Sequence, residues 1–182
     1  MPAPNPTKVP ARFHLSAGEN IGAGDADEFS NREMWSRAAG LGGVSGVLES
    51  LPMGYDTLLE DHCPHVAVAG RTGRSGLSEG EWQSLMLARF LMRADVAKLL
   101  VLDEPFSCVH PDTARRMLAM LGAQARAMGQ VVVVTTQDLS LGRWGDQVVL
   151  LDSGKLVEAG PPDDLLAMGG AFLRALQAYH GF

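Results

Sequence analysis

Two runs of four apolar residues, LLVL at 99–102 and VVVV at 131–134, constrain the fold of this chain more than any other feature. Each run is short, and neither carries a polar residue to face water. That pattern suits a strand buried on both faces of a parallel sheet. The valines are β-branched, stiff at χ1 and strand-prone. Between the runs, residues 112–128 read as a helix that starts after Pro111 and stops at Gly129. Strand, helix and strand in this order predict a right-handed crossover and an α/β sheet. Neither run approaches the roughly 20 apolar residues needed to cross a bilayer.

The first strand runs directly into Asp103 and Glu104. In open α/β sheets, ligands bind at the carboxyl ends of the strands. Two adjacent acids there can divide labour, one holding a magnesium ion through water and the other polarising an attacking water. The same residues also read as a solvated pair of acids at a strand end. A second candidate lies upstream in LSEGE, residues 77–81, which opens a helix predicted over 79–92. Ser78 and Glu81 have the spacing of a capping box. The free amides of such a helix start, with the positive end of its dipole, suit an anion such as a phosphate. Taken alone, the segment reads as an ordinary cap.

The remaining elements are shorter. A loop with one turn of helix is expected over 13–27, and a helix over 30–40 with Ser30 as its N-cap and Gly42 and Gly43 at its end. A brief helix over 44–50 is stopped by Pro52. Residues 61–76, with Pro64 and three glycines, read as a long loop. Near the end, QVVLLD and KLVEAG flank Ser153 and Gly154, a hairpin signal. A last helix is expected from Pro162 or Asp163 toward Tyr179, interrupted at Gly169 and Gly170.

Composition narrows the function classes. Apolar residues make up 46% and charged residues 20%, a globular balance, and 182 residues suit one domain. The net charge of −6 is spread along the chain without a basic cluster, which argues against nucleic acid as a partner. Cys63 and Cys108 lack the paired spacing of a zinc site, and a reduced cytoplasmic setting is the simple reading. Cys108 with His110, and the group His62, Cys63 and His65, are read as incidental rather than as metal ligands. The Pro-rich start, residues 1–12, reads as a solvated, disordered tail rather than a leader.

Order and spacing make the separate signals more specific. LSEGE, then LVLDEP about twenty residues on, then Ser107 in a short loop, then a buried strand ending in polar residues resembles the ATP-binding-cassette (ABC) ATPase family over roughly residues 13–182. LSEGE matches the family signature LSGGQ at Leu77, Ser78 and Gly80, departing at Glu79 and Glu81. The Ala88-Arg89 pair resembles the IARA segment that follows, and LVLDEP resembles the Walker B strand with its catalytic glutamate, Glu104. LPMGYDTLL at 51–59 and FHLSAGENI at 13–21 are similar to the LPxGYDT and F-x-x-S-x-R-E-N-I segments of exporter-type domains, with Gly18 where the family has arginine. These two segments separate a transporter cassette from chromosome-maintenance or repair ATPases. DSGKLVEAGPPDDLL resembles the G-x-x-x-E-x-G hairpin and the helix after it.

The resemblance implies an incomplete P-loop NTPase (ABC ATPase) fold, α/β with a mainly parallel core. A helical signature subdomain would span about 28–95, and Walker B, the switch strand and the C-terminal hairpin and helix about 96–182. It implies ATP and Mg2+ as cofactors, with Ser78, Gly80 and Glu81 contacting ATP in trans, Asp103 holding Mg2+ through water, and Ser107 nearby. Its partners would be another ABC nucleotide-binding domain and transporter membrane domains, at the cytoplasmic face of a membrane without insertion into it. Three departures restrict activity. No G-x-x-x-x-G-K-[ST] occurs in the 182 residues, so the chain reads as truncated and lacking Walker A. The loop after Walker B reads Ser107-Cys108-Val109-His110, without the family's aspartate. Gln137 stands at the switch position, where it can donate a hydrogen bond but cannot shuttle a proton as histidine does. The expectation is a domain related to ATP hydrolysis but inactive alone, or else a non-catalytic module that pairs with an intact cassette. With the family's front strands absent, an edge and an apolar face of the sheet are expected to stand open.

Overall fold

The computed structural model describes residues 11–59 and 76–180, so the cluster His62, Cys63 and His65 and nearly all of the 61–76 loop lie outside the described residues. The chain divides into two compact units, Met1–Ala97 and Lys98–Phe182.

In the first unit, helices α1 (Ala17–Gly22), α2 (Arg32–Leu41), α3 (Ser45–Glu49) and α4 (Glu79–Leu91) enclose one apolar core. Trp35, Leu48, Leu59, Trp82, Leu85 and Met92 are its bulk. The expected cap of α2 moves by one residue. Asn31, not Ser30, is the N-cap, because its side-chain oxygen accepts from both Glu33 N and Met34 N. Gly43, at φ +68°, turns the chain out of α2.

In the second unit, β1 (Leu99–Asp103), α5 (Pro111–Met128) and β2 (Val131–Thr135) form the expected strand-helix-strand run. The strands pair in parallel, Leu99 opposite Val131 through Asp103 opposite Thr135. Helix α5 begins with Pro111, capped by the His110 side chain, and ends at Gly129 in the left-handed region. Strands β3 (Val148–Asp152) and β4 (Lys155–Gly160) form a separate antiparallel hairpin. Its turn residues, Ser153 at φ +49° and Gly154 at +73°, are those of a type I′ turn. The interruption at Gly169-Gly170 splits the last helix into α6 (Pro162–Met168) and α7 (Ala171–His180). Glu158 of the hairpin accepts from Ala171 N and Phe172 N, and these bonds to the open start of α7 hold its carboxyl below the usual range.

The runs LLVL and VVVV are not buried on both faces. Leu100 and Leu102 are 4% and 5% exposed, whereas Leu99 and Val101 are 57% and 55% exposed. Val131 and Val133, opposite them in register, are exposed as well. The reason is the sheet's size: with two strands and, among the described residues, no layer over that face, only one side meets a core. Replacing Val101 and Val131 by threonine keeps β-branching while adding polarity. These variants should show weaker dye binding to exposed apolar surface and less light scattering, with an unchanged urea midpoint. A drop in midpoint typical of a buried valine would mean that the face is covered in solution.

Candidate functional site

The predicted site residues divide between the two units: Ser78, Gly80 and Glu81 in the first, and Asp103, Glu104, Ser107 and Gln137 in the second.

Ser78 is the N-cap of α4 and completes the expected capping box. Its hydroxyl accepts from Glu81 N at 3.4 Å, and its own N–H donates to Glu81 Oε2 at 2.7 Å. The Ser78 hydroxyl also donates to Glu81 Oε2 at 2.7 Å. The carboxylate at this helix start is therefore the chain's own. The ionised carboxylate of Glu81 can only accept hydrogen bonds, so that group competes with a phosphate for Ser78. Glu79 adds a second negative charge in the same turn and pairs with Arg12, whose guanidinium lies over Trp82.

What lies beneath α4 explains the transporter-like segments. Asn20, in the Glu-Asn-Ile stretch of α1, is fully buried. Its amide donates to the carbonyls of Phe13, Leu15 and Ser16 at 3.0, 3.2 and 3.1 Å. Ser16 and Glu19 form a capping box at the start of α1, and the Ser16 bonds hold the Glu19 carboxyl below its ordinary value. Residues 51–59 pack onto this turn: Ala17 N donates to Thr57 O and Leu59 N to Leu15 O. Gly54 supplies the positive φ, +54°, that their bend requires. Arg89 of α4 locks the arrangement, donating from Nε to Asn20 O at 2.6 Å, from Nη2 to Asn20 Oδ1 at 2.7 Å and from Nη1 to Ala11 O at 2.7 Å. Burial pushes its pKa down to about 10, which leaves it charged at neutral pH. The sequence marked Arg89 only through a resemblance and did not mark Asn20 separately. Their partnership spans 69 positions and has no local signal.

In the second unit, Asp103 is exposed and Glu104 half-buried at the carboxyl end of β1. Glu104 has φ +49°, a left-handed conformation uncommon for glutamate. Its N–H donates to Thr135 O at 3.1 Å and lies 3.2 Å from Thr135 Oγ1. The Thr135 hydroxyl donates to Asp103 Oδ1 at 2.6 Å. Gln137, two residues beyond Thr135, is exposed. Ser107 is exposed too, its N–H donating to Glu104 O at 3.3 Å. Cys108 is exposed, and no group of three or more metal-ligating side chains occurs among the described residues.

These donors fit the implied cofactors unequally. Magnesium is commonly held by one or two carboxylates, with phosphate oxygens and waters completing the shell. Asp103 and Glu104 can supply the carboxylate part. A nucleotide also needs a phosphate cradle, and no G-x-x-x-x-G-K-[ST] is present in the 182 residues, while Ser78 N is bonded to Glu81. The donors described here thus suit the cation better than the phosphates.

No family model matches the chain. It is 30% identical over 171 residues to the mycobactin import ATP-binding/permease protein IrtB of Mycobacterium tuberculosis, covering 94% of this chain and 27% of that protein. It is 31% identical over 164 residues to the ATP-dependent lipid A-core flippase of Pseudomonas aeruginosa, covering 89% of this chain and 24% of that one. Among solved structures, a bacterial Atm1-family ABC exporter with ATP bound matches with a TM-score of 0.70 and 26% identity, covering 93% of this chain and 27% of the exporter chain. The chain thus spans about a quarter of the length of the curated relatives it matches.

Proposed function

The chain is related over most of its length to ABC transporter ATP-binding/permease proteins, and from that premise we propose that it is the signature and Walker B portion of their ATP-binding domain, working against an intact domain that holds the nucleotide. The observation that carries this reading is the acid pair Asp103-Glu104 at the carboxyl end of a parallel strand, bonded to the neighbouring strand through Thr135. When bound, Mg2+ supplies positive charge that steadies the phosphates in hydrolysis. This chain's own part would be to offer Asp103 to that ion through water, Glu104 to orient and polarise a water, and Gln137 as a hydrogen-bond donor to a phosphate oxygen. Ser107 would stand beside them. In the first unit, and separately from the acids, Ser78 and Gly80 would face a nucleotide held by the partner domain, in trans, once Glu81 has turned away. The incomplete P-loop NTPase fold, with its helical part over about 28–95 and its strand part over about 96–182, belongs to the same proposal. So does a location beside transporter membrane domains at the cytoplasmic face; no helix among the described residues is long and apolar enough to cross a membrane.

A second reading is favoured by the bonded pair Ser78-Glu81: the chain pairs with an intact cassette and modulates it without turnover. One experiment separates the readings. ATP hydrolysis is measured for the chain alone, for an intact cassette alone, and for the two mixed, with wild-type and Glu104→Gln chains. The first reading expects no turnover alone and a Glu104-dependent gain in the mixture. A change in the mixture that survives Glu104→Gln supports the modulator. Magnesium-dependent turnover by the chain alone, abolished by Glu104→Gln, overturns both.

A further inference from the structure

We infer that Thr135 is a positioning residue that sets the geometry of both acids at the end of β1, an inference that rests on the reading of Asp103 and Glu104 as the cation-and-water pair. Three bonds converge on this one residue. Its hydroxyl donates to Asp103 Oδ1 at 2.6 Å, its carbonyl accepts from Glu104 N at 3.1 Å, and its hydroxyl oxygen lies 3.2 Å from the same N–H. Register makes the arrangement possible, because Asp103 and Thr135 face each other across the parallel pair. A hydroxyl that donates to one acid while accepting from the backbone of the next fixes both at once. The bond to Oδ1 limits rotation of the Asp103 carboxylate. The bonds from Glu104 N hold the backbone where φ turns to +49° and the chain leaves the strand.

The residue type is decisive. VVVV-Thr-Thr ends in a β-branched residue, so a fifth valine would preserve the strand and its shape. Valine would keep the carbonyl bond, because that bond is backbone to backbone, and would remove only the hydroxyl. Groups that orient a metal-binding side chain from behind affect affinity without touching the ion.

The test uses the full chain, with Mn2+ as a spectroscopic probe for a hard divalent cation, followed by the electron-spin-resonance signal of free Mn2+ at millimolar concentration. Asp103→Asn should abolish binding. Thr135→Val should weaken it about tenfold, the usual effect of removing an orienting hydrogen bond. Thr135→Ser, which restores the hydroxyl, should return wild-type affinity, and all three should unfold at the wild-type urea midpoint. Thr135→Ala serves in place of the valine variant if that one does not fold. If Asp103→Asn abolishes binding while Thr135→Val does not alter it, the role of Thr135 is overturned and the acid pair stands. Equal losses in the valine and serine variants also overturn it, since the hydroxyl would then be irrelevant. If wild type fails to bind Mn2+, or binds it as Asp103→Asn does, the reading of the acid pair falls and this inference with it.

Discussion

Replacing Arg89 by methionine should destabilise the chain by about 2–4 kcal/mol, the range for removing one member of a buried, charge-assisted hydrogen-bond set. Methionine fills similar volume along the stem, so the change isolates the guanidinium. Its removal strands the carbonyls of Ala11 and Asn20 and one of the bonds to Asn20 Oδ1, at a position where Asn20 is wholly buried. It also removes the cation over the Phe13 ring, 4.4 Å from its centroid. Lysine should rescue little, because one ammonium cannot serve three acceptors spread across a planar fork. Urea unfolding of the Arg89→Met, Asn20→Ala and double variants checks the prediction. The double variant should cost less than the sum of the two, since both remove the bond from Arg89 Nη2 to Asn20 Oδ1. Strict additivity would mean that the two side chains act independently and that the network is not what ties α4 to α1.

That network marks the boundary of what a sequence can tell. Ser78 with Glu81 and Ser16 with Glu19 are both capping boxes of three-residue spacing, and the first is legible in the sequence because a strong helical run follows it. The hairpin was legible because Ser153-Gly154 is a turn signal between two apolar runs, and the helix over Pro111–Met128 because proline and glycine bracket it. Asn31 displaced Ser30 as a cap since both are good N-cap residues and only the backbone decides which has extended geometry. Four consecutive apolar residues do not by themselves reveal the one-sided burial of β1. An apolar run reports what a strand can bury, whereas the number of layers packed on it decides what is buried. Within the site, Asp103 and Glu104 stood out as adjacent acids, but Thr135 did not, because its importance comes from register with a strand 32 positions away.

The departure at Gly18 has a physical cause that leads to the second large effect. A Cβ at Gly18 would lie 2.3 Å from Trp35 Cε3 and 2.4 Å from Cζ3, inside the buried core of α1 and α2. The indole cannot simply swing aside, because its Nε1 donates to Phe29 O at 2.8 Å and the Arg32 guanidinium lies over its ring, 5.4 Å from the centroid. Gly18→Ala should therefore destabilise by about 1–3 kcal/mol, the usual penalty for overpacking a core. The helix preference of alanine over glycine would offset about 1 kcal/mol of it. Gly18→Arg, which installs the residue of the resembling segment, adds a buried charge to the clash and should prevent folding of the first unit. Trp35→Leu opens the space and is destabilising in a wild-type background by about 3 kcal/mol, as for other large-to-small core changes. In the Gly18→Ala background the same change should cost distinctly less, because the methyl group occupies part of the vacated volume. Circular dichroism and urea unfolding of the four chains measure this coupling. A Gly18→Ala chain at or above wild-type stability would mean that the indole yields freely, and the glycine would then reflect no packing constraint from Trp35.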